Sequence, residues 1–379
     1  MTRSIAPSVF ALILATLACQ PAFDKDSDSN SPSSDSDSID TQTGNDSDSN
    51  GVDSASPDSG NPDSDAPCEW GDAQPGDSIS MSLEFDGQER TFQLHLPSDY
   101  DCTPRPMIIG LHGYYGSGEG FEQSTSRMFN RIDELGMIGL FPDGLQMGSS
   151  GWKSWVTSFN DIDSHQSDGP DGATCTEDAY DYGVFENCPA EEHEDACNWG
   201  TSCADDEGFL RAALAMASEE WTVDSDRIYL TGFSQGGQTT QALAWRMSDV
   251  LAAAAPQHGF ATNGYTVAPE SPMGLFQVWA RGDRTVNGND TASNDGMIYD
   301  GAEETALIWA DAQGCTSEPE IYPTDYDGIE GWSCAEYPDC STSAQVVTCV
   351  WDGGHTWGRS SGTNFALESM LTFFEAHSR

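Results

Sequence analysis

The sequence predicts an α/β fold, a mainly parallel sheet flanked by helices, on three observations. Short unbroken apolar runs recur along the chain, amphipathic helical stretches lie between them, and one strand-like segment leads straight into a glycine-flanked serine that opens a helix. Unbroken runs suit strands buried on both faces, as in parallel sheets whose crossover helices cover them. Strands alternating with helices imply right-handed crossovers within one layered domain.

The elements follow in order. Residues 78–85 and 90–97 alternate apolar and polar side chains around Asp86-Gly87, the pattern of a hairpin with a tight turn. Residues 107–111, 137–141, 228–230, 251–255 and 275–280 are apolar runs expected to be buried strands, and 346–351 is a further expected strand. Helices are expected at 208–221, where Leu210, Leu214, Ala217 and Trp221 share one stripe, and at 240–247, 303–312 and 364–376. The segment 150–203 fits neither period. It carries Trp152, Trp155 and Trp199 with four cysteines, and reads as a cysteine-stapled loop insertion.

The chain has 379 residues and a formal net charge of −49, which argues against nucleic acid or an anionic membrane surface as a partner. Residues 1–18 combine Arg3 with an apolar run too short to span a bilayer, as in a signal peptide. The run ends at Cys19 and resembles a bacterial lipoprotein signal, which makes Cys19 the expected lipidation site and the lipid the only expected membrane contact. Residues 19–67 repeat Asp and Ser with very few large apolar side chains, so they are expected to form a disordered linker. Residues 68–379 form the folded domain. Setting Cys19 aside, ten of the eleven cysteines remain, an even number suited to disulfides in an exported protein. Zinc-like ligand spacing is lacking, so neither metal nor cofactor is expected.

Gly232-Phe233-Ser234-Gln235-Gly236 matches G-x-S-x-G between a strand and a helix, the context in which a sharp turn presents the serine hydroxyl at the carboxyl edge of the sheet. A serine needs a base and a group to orient that base. Asp283 follows the 275–280 strand and is the expected acid, with Asp290 as its competitor. His355 follows the 346–351 strand on a glycine-rich loop and is the expected base. Backbone N–H groups of Gln235 and Tyr114 are the expected oxyanion donors. His112 is expected to shape its loop. Trp152, Trp155, Trp199 and Trp357 are candidate substrate contacts.

The ordered set Leu111-His112-Gly113, Phe141-Pro142-Asp143-Gly144, Asp206-Glu207-Gly208-Phe209-Leu210, the elbow at Ser234, Asp283 and Gly354-His355-Thr356-Trp357 resembles the polyhydroxybutyrate depolymerase and feruloyl esterase family of α/β-hydrolases, which overlaps carbohydrate esterase family one. The resemblance implies that Ser234, Asp283 and His355 form a triad in a serine esterase. It also implies a substrate that is either a polysaccharide carrying feruloyl or acetyl groups or a hydroxyalkanoate polyester, and it suggests a bridge between Cys315 and Cys340. The chain departs from the pattern at Gly358, where proline often stands, and in its enlarged insertion. A serine peptidase or a non-catalytic surface binder remains the alternative from another class.

Overall fold

Two edges of antiparallel strands enclose a parallel centre. The computed structural model describes residues 73–379 apart from 158–167, 184, 189–196, 198–199 and 343. The expected signal peptide, Cys19, the linker 19–67 and Trp199 lie outside the described residues. Within them, ten strands form one sheet: β1 (Ser78–Phe85), β2 (Gln88–His95), β3 (Arg105–Leu111), β4 (Ile138–Pro142), β5 (Val223–Phe233), β6 (Ala253–Gln257), β7 (Gly274–Ala280), β8 (Glu320–Tyr322), β9 (Ser333–Tyr337) and β10 (Val346–Trp351). Their spatial order is β1-β2-β4-β3-β5-β6-β7-β10-β9-β8. The run from β4 to β10 is parallel throughout, whereas β1 and β2 at one edge and β9 and β8 at the other pair antiparallel.

Four of the parallel strands, β3, β4, β6 and β7, are buried along almost their whole length, and the second half of β5 is buried as well. Helices α1 (Phe129–Glu134), α2 (Asp206–Glu220), α3 (Gln235–Arg246), α4 (Ala302–Ala312) and α5 (Phe365–Glu375) flank the sheet. Two apolar cores result. One packs Phe209, Leu210, Leu243 and Trp309 against Met107, Ile109 and Leu230, and the other packs Phe365, Met370 and Phe374 against Ile108, Tyr229 and Phe276. Alternate residues of the same strands thus feed opposite layers, as the two-residue period of a strand requires.

The insertion is tied down at several points. Cys175 bonds to Cys197 and Cys188 to Cys203. A third, small core beneath it gathers Cys197, Phe260, Val286, Met297 and Tyr299. Its first stretch is joined to α3, because Thr239 Oγ1 donates to the Val156 carbonyl at 2.9 Å and Gln235 Nε2 donates to Ser154 Oγ at 2.8 Å. Asp206, at the start of α2, accepts from the Val156 N–H at 2.7 Å and from Arg90 at 2.7 Å, so a buried ion pair fixes the same stretch. Cys315 and Cys340 are bonded, as are Cys334 and Cys349, which joins β9 to β10.

Candidate active site

β5 ends at Phe233 and α3 begins at Gln235, leaving Ser234 alone to turn the chain, at φ 58° and ψ −124°. A left-handed serine is strained, and the neighbouring glycines make the turn sterically possible. A Cβ on Gly232 would lie 2.2 Å from the Gly236 carbonyl oxygen, and one on Gly236 would lie 2.3 Å from the Leu111 oxygen.

His355, on the loop after β10, sets Nε2 at 2.8 Å from Ser234 Oγ. Its Nδ1 lies 2.8 Å from Asp283 Oδ2, on the turn after β7. Because the carboxylate accepts from Nδ1–H, Nε2 is left with its lone pair toward the serine hydroxyl. Burial alone would raise the Asp283 pKa, but hydrogen bonds from His258 and His355 outweigh it and hold the carboxyl well below its usual range. Asp290 stands elsewhere, with its carboxylate against Gly301 at the start of α4.

Gln235 is the first residue of α3, where N–H groups have no intrahelical acceptor. Across the serine, a Cβ on Gly113 would lie 3.3 Å from Ser234 Cβ, which puts the His112–Tyr114 loop directly against the hydroxyl-bearing side chain. His112 holds that loop. Its Nδ1–H donates to the Gly113 carbonyl at 2.7 Å, and its Nε2 accepts from the Gly144 N–H at 3.0 Å. Burial pushes its pKa down to about 4, so it is a neutral pin.

A cleft of about 650 Å³ opens over Ser234 and His355, bordered by Tyr114, Tyr115, Phe121 and Lys153. Trp152 is 47% exposed and packs on Tyr115, itself 47% exposed, at 4.7 Å between ring centroids. Tyr115 in turn packs on Tyr114 at 3.9 Å. Two of the tryptophans expected on the rim are elsewhere. Trp155 is fully buried because its indole N–H is claimed by the His112 carbonyl at 2.8 Å and its ring by the His112 imidazole. Trp357 is 5% exposed and wedged against Phe121 and Phe233 in the core. The exposed aromatic wall is therefore built from tyrosines around Trp152.

Sequence reasoning also missed three contributors. His258, fully buried after β6, sets Nδ1 at 2.7 Å from the same Asp283 oxygen that faces His355. Its position at the carboxyl end of a strand beside β5 was the available signal. Asp143 gathers the Gly118 N–H, the Thr91 hydroxyl and the Lys153 ammonium at 2.9, 2.7 and 2.7 Å, so it anchors the cleft wall. The Gln235 side chain joins the insertion to the elbow. Ligand atoms of His258, Asp283 and His355 lie within 4.8 Å of one another, a spacing open to a metal. Both histidine nitrogens nevertheless sit at hydrogen-bond distance from one carboxylate oxygen, and an ion would have to break both bonds.

A strand, a left-handed serine and a helix, on a sheet whose later strands deliver an acid and then a histidine, match one architecture. The acetyl xylan esterase of Aspergillus awamori superposes with a TM-score of 0.52 over 79% of this chain and 99% of its own, at 14% identity. The chain has the α/β-hydrolase fold. Residues 192–292, a stretch including Ser234 and Asp283, match the prolyl oligopeptidase family model. Feruloyl esterase B of Piromyces equi is 30% identical over 170 residues, which is 42% of this chain and 30% of that protein. A probable feruloyl esterase C of Aspergillus niger is 23% identical over 176 residues, 46% of this chain and 56% of that one. The chain thus resembles feruloyl esterases over part of its sequence, and its matches span less than two thirds of the length of these relatives.

Proposed function

We propose that the protein is an exported serine esterase that cleaves feruloyl or acetyl esters of polysaccharides through a covalent acyl-enzyme. The observation that carries the reading is the hydrogen-bonded line Ser234 Oγ, His355 Nε2, His355 Nδ1 and Asp283 Oδ2, with each gap 2.8 Å. In the first half-reaction Ser234 Oγ attacks the acyl carbonyl, His355 Nε2 takes the hydroxyl proton, and Asp283 stabilises the imidazolium. The negative charge gathers on the carbonyl oxygen, where the N–H groups of Gln235 and Tyr114 would receive it. The imidazolium then protonates the leaving alkoxide. Water, deprotonated by His355, then attacks the acyl-serine, and as the acyl–Oγ bond breaks the imidazolium returns that proton to Ser234 Oγ, which frees the acid and restores the serine.

Two features support the substrate class. The relatives similar in sequence are feruloyl esterases, and the Tyr114, Tyr115 and Trp152 rings supply faces on which a sugar or a phenolic acyl group can stack. The cleft is open and partly polar, which suits a chain-borne ester better than a fully enclosed apolar ligand. The disulfides fit an oxidising compartment. Export through residues 1–18 and a solvated tether over 19–67 complete the reading, with the enzyme held at the outer cell surface by lipidation at Cys19 or released as a secreted protein.

The test is a substrate panel of methyl ferulate, acetylated xylan and polyhydroxybutyrate film. Release of ferulate or acetate with an inert film is the expected result, whereas film erosion alone would move the assignment to polyester depolymerase. The prolyl oligopeptidase match over 192–292 favours a second reading, a serine peptidase. Cleavage of short peptides at rates above ester hydrolysis would establish that reading instead.

A further inference from the structure

Asp283 is held more completely than a triad requires. Its Oδ1 accepts the N–H groups of Thr285 and Val286 at 2.9 and 3.1 Å. Its Oδ2 faces two imidazoles, His355 Nδ1 at 2.8 Å and His258 Nδ1 at 2.7 Å. His258 has no access to solvent, and its backbone sits at φ 50°, a conformation that costs free energy for a residue other than glycine. Its main-chain N–H is tied to the Val278 carbonyl at 2.8 Å, and its Nε2 lies 3.5 Å from the Trp351 indole nitrogen. That pairing makes Nδ1 the protonated nitrogen, donating to Asp283, and Nε2 the acceptor. β6, β7 and β10 thus converge on one carboxylate oxygen, since His258 follows β6, Asp283 follows β7 and Trp351 ends β10.

We propose that His258 is a positioning residue for the reaction, a neutral second imidazole whose Nδ1–H fixes Asp283 Oδ2 in the direction of His355 and shares its charge. The inference rests on the reading of Ser234, His355 and Asp283 as the reacting set. His258 touches neither the serine nor the cleft, so it acts through Asp283. With one donor on Oδ2 besides His355, the carboxylate cannot rotate away while His355 gains and loses its proton. Sharing the charge also tempers the pull of Asp283 on the imidazolium. The groups facing this centre are few. Besides the two histidines, the Asp283 charge reaches Tyr299, and Arg281 on the same turn is directed to Asp352 at 2.8 Å.

The experiment compares His258→Ala and His258→Asn in the full chain, with p-nitrophenyl acetate as substrate, across the pH profile of kcat/KM. Asparagine tolerates the left-handed backbone and carries a donor where Nδ1 stands. His258→Ala should lower kcat about ten- to a hundredfold, the rate equivalent of one hydrogen bond to a charged group, with little change in KM. Its acid limb should move to higher pH, because an Asp283 with one donor fewer stabilises protonated His355 more strongly. His258→Asn should recover most of kcat and return the limb toward its original place. Three results would overturn the proposal: kcat within twofold of the parent for His258→Ala, an acid limb that does not move, or a loss in His258→Asn equal to that in His258→Ala. Ser234→Ala measured alongside separates the two levels, since turnover by that variant would reject the triad itself and an inert Ser234→Ala with unaffected His258 variants would reject only the role of His258.

Discussion

The indole N–H of Trp155 donates to the main-chain carbonyl of His112 at 2.8 Å, joining the insertion to the loop that runs beside Ser234. Through this bond the start of the insertion braces the residues leading to Tyr114, a proposed oxyanion donor. Trp155→Phe keeps one aromatic ring but loses the pyrrole half of the indole with its N–H, leaving the His112 carbonyl without that bond. The expected cost is about 1–3 kcal/mol of stability, with a several-fold fall in kcat on p-nitrophenyl acetate and a KM close to the parent. Urea titration with steady-state kinetics checks both, and an unchanged kcat would mean the loop holds its shape without the indole.

Tyr115 occupies φ 68°, half exposed between Tyr114 and Trp152. Strain held at a surface aromatic beside a cleft is the mark of a residue kept for binding. Tyr115→Gly relieves about 1 kcal/mol of strain while losing stacking of about the same size, so the melting temperature should stay within a few degrees. KM for acetylated or feruloylated polysaccharide should rise strongly in Tyr115→Gly and in Trp152→Ala, and KM for p-nitrophenyl acetate should not. Equal losses on both substrates would assign the rings to the fold.

The legibility of these features differed for physical reasons. Buried parallel strands such as 107–111 are legible, because both faces must be apolar and the run is unbroken. The elbow was legible because its geometry admits little besides small residues around the serine. β8 and β9 were missed since a short edge hairpin, with Ile321 pointing to solvent, has no clear apolar period. Trp155 and Trp357 were placed on the rim because a tryptophan in an irregular or post-strand loop carries no periodicity to tell its buried face from an exposed one. His258 lies upstream of the acid, where chain order places no reacting histidine, and chain order says nothing of a second imidazole.

Acid should weaken the fold before it reaches the carboxylates. Burial pushes His112 down to about 4 and lowers His95, His258 and His377 as well. Below pH of about 6.5 the unfolded chain binds protons at these sites that the folded chain refuses. Stability is therefore full above that pH, falls as the pH drops toward 4, and the His112 share of the loss levels off below it. His112 alone accounts for up to about 3 kcal/mol of this loss. Gln in its place keeps an acceptor for the Gly144 N–H and does not titrate, so His112→Gln should flatten the fall in melting temperature between pH 7 and 4. A slope equal to the parent's would show that His112 protonates without opposing the fold.

The Cys315–Cys340 bond closes a loop of 25 residues that ends shortly before β10, the strand leading to His355. Replacing both by serine should cost about 3 kcal/mol, chiefly by freeing the unfolded chain. Activity at moderate temperature should persist, because β10 remains paired with β7 and β9 and its Cys349 remains bonded to Cys334. Thermal inactivation half-lives measured against initial rates separate the two effects, and loss of activity in the still-folded variant would show that the bond positions the histidine directly.

The central claim is that Ser234 forms the acyl-enzyme with His355 as its base, and steady-state hydrolysis of p-nitrophenyl acetate by Ser234→Ala tests it most directly. The account predicts a fall in kcat of at least about 10⁴-fold with an unchanged melting temperature, since the side chain packs little. His355→Ala should lose almost as much, and the double variant little more, because the two act as a unit. Turnover by Ser234→Ala within tenfold of the parent would contradict the account.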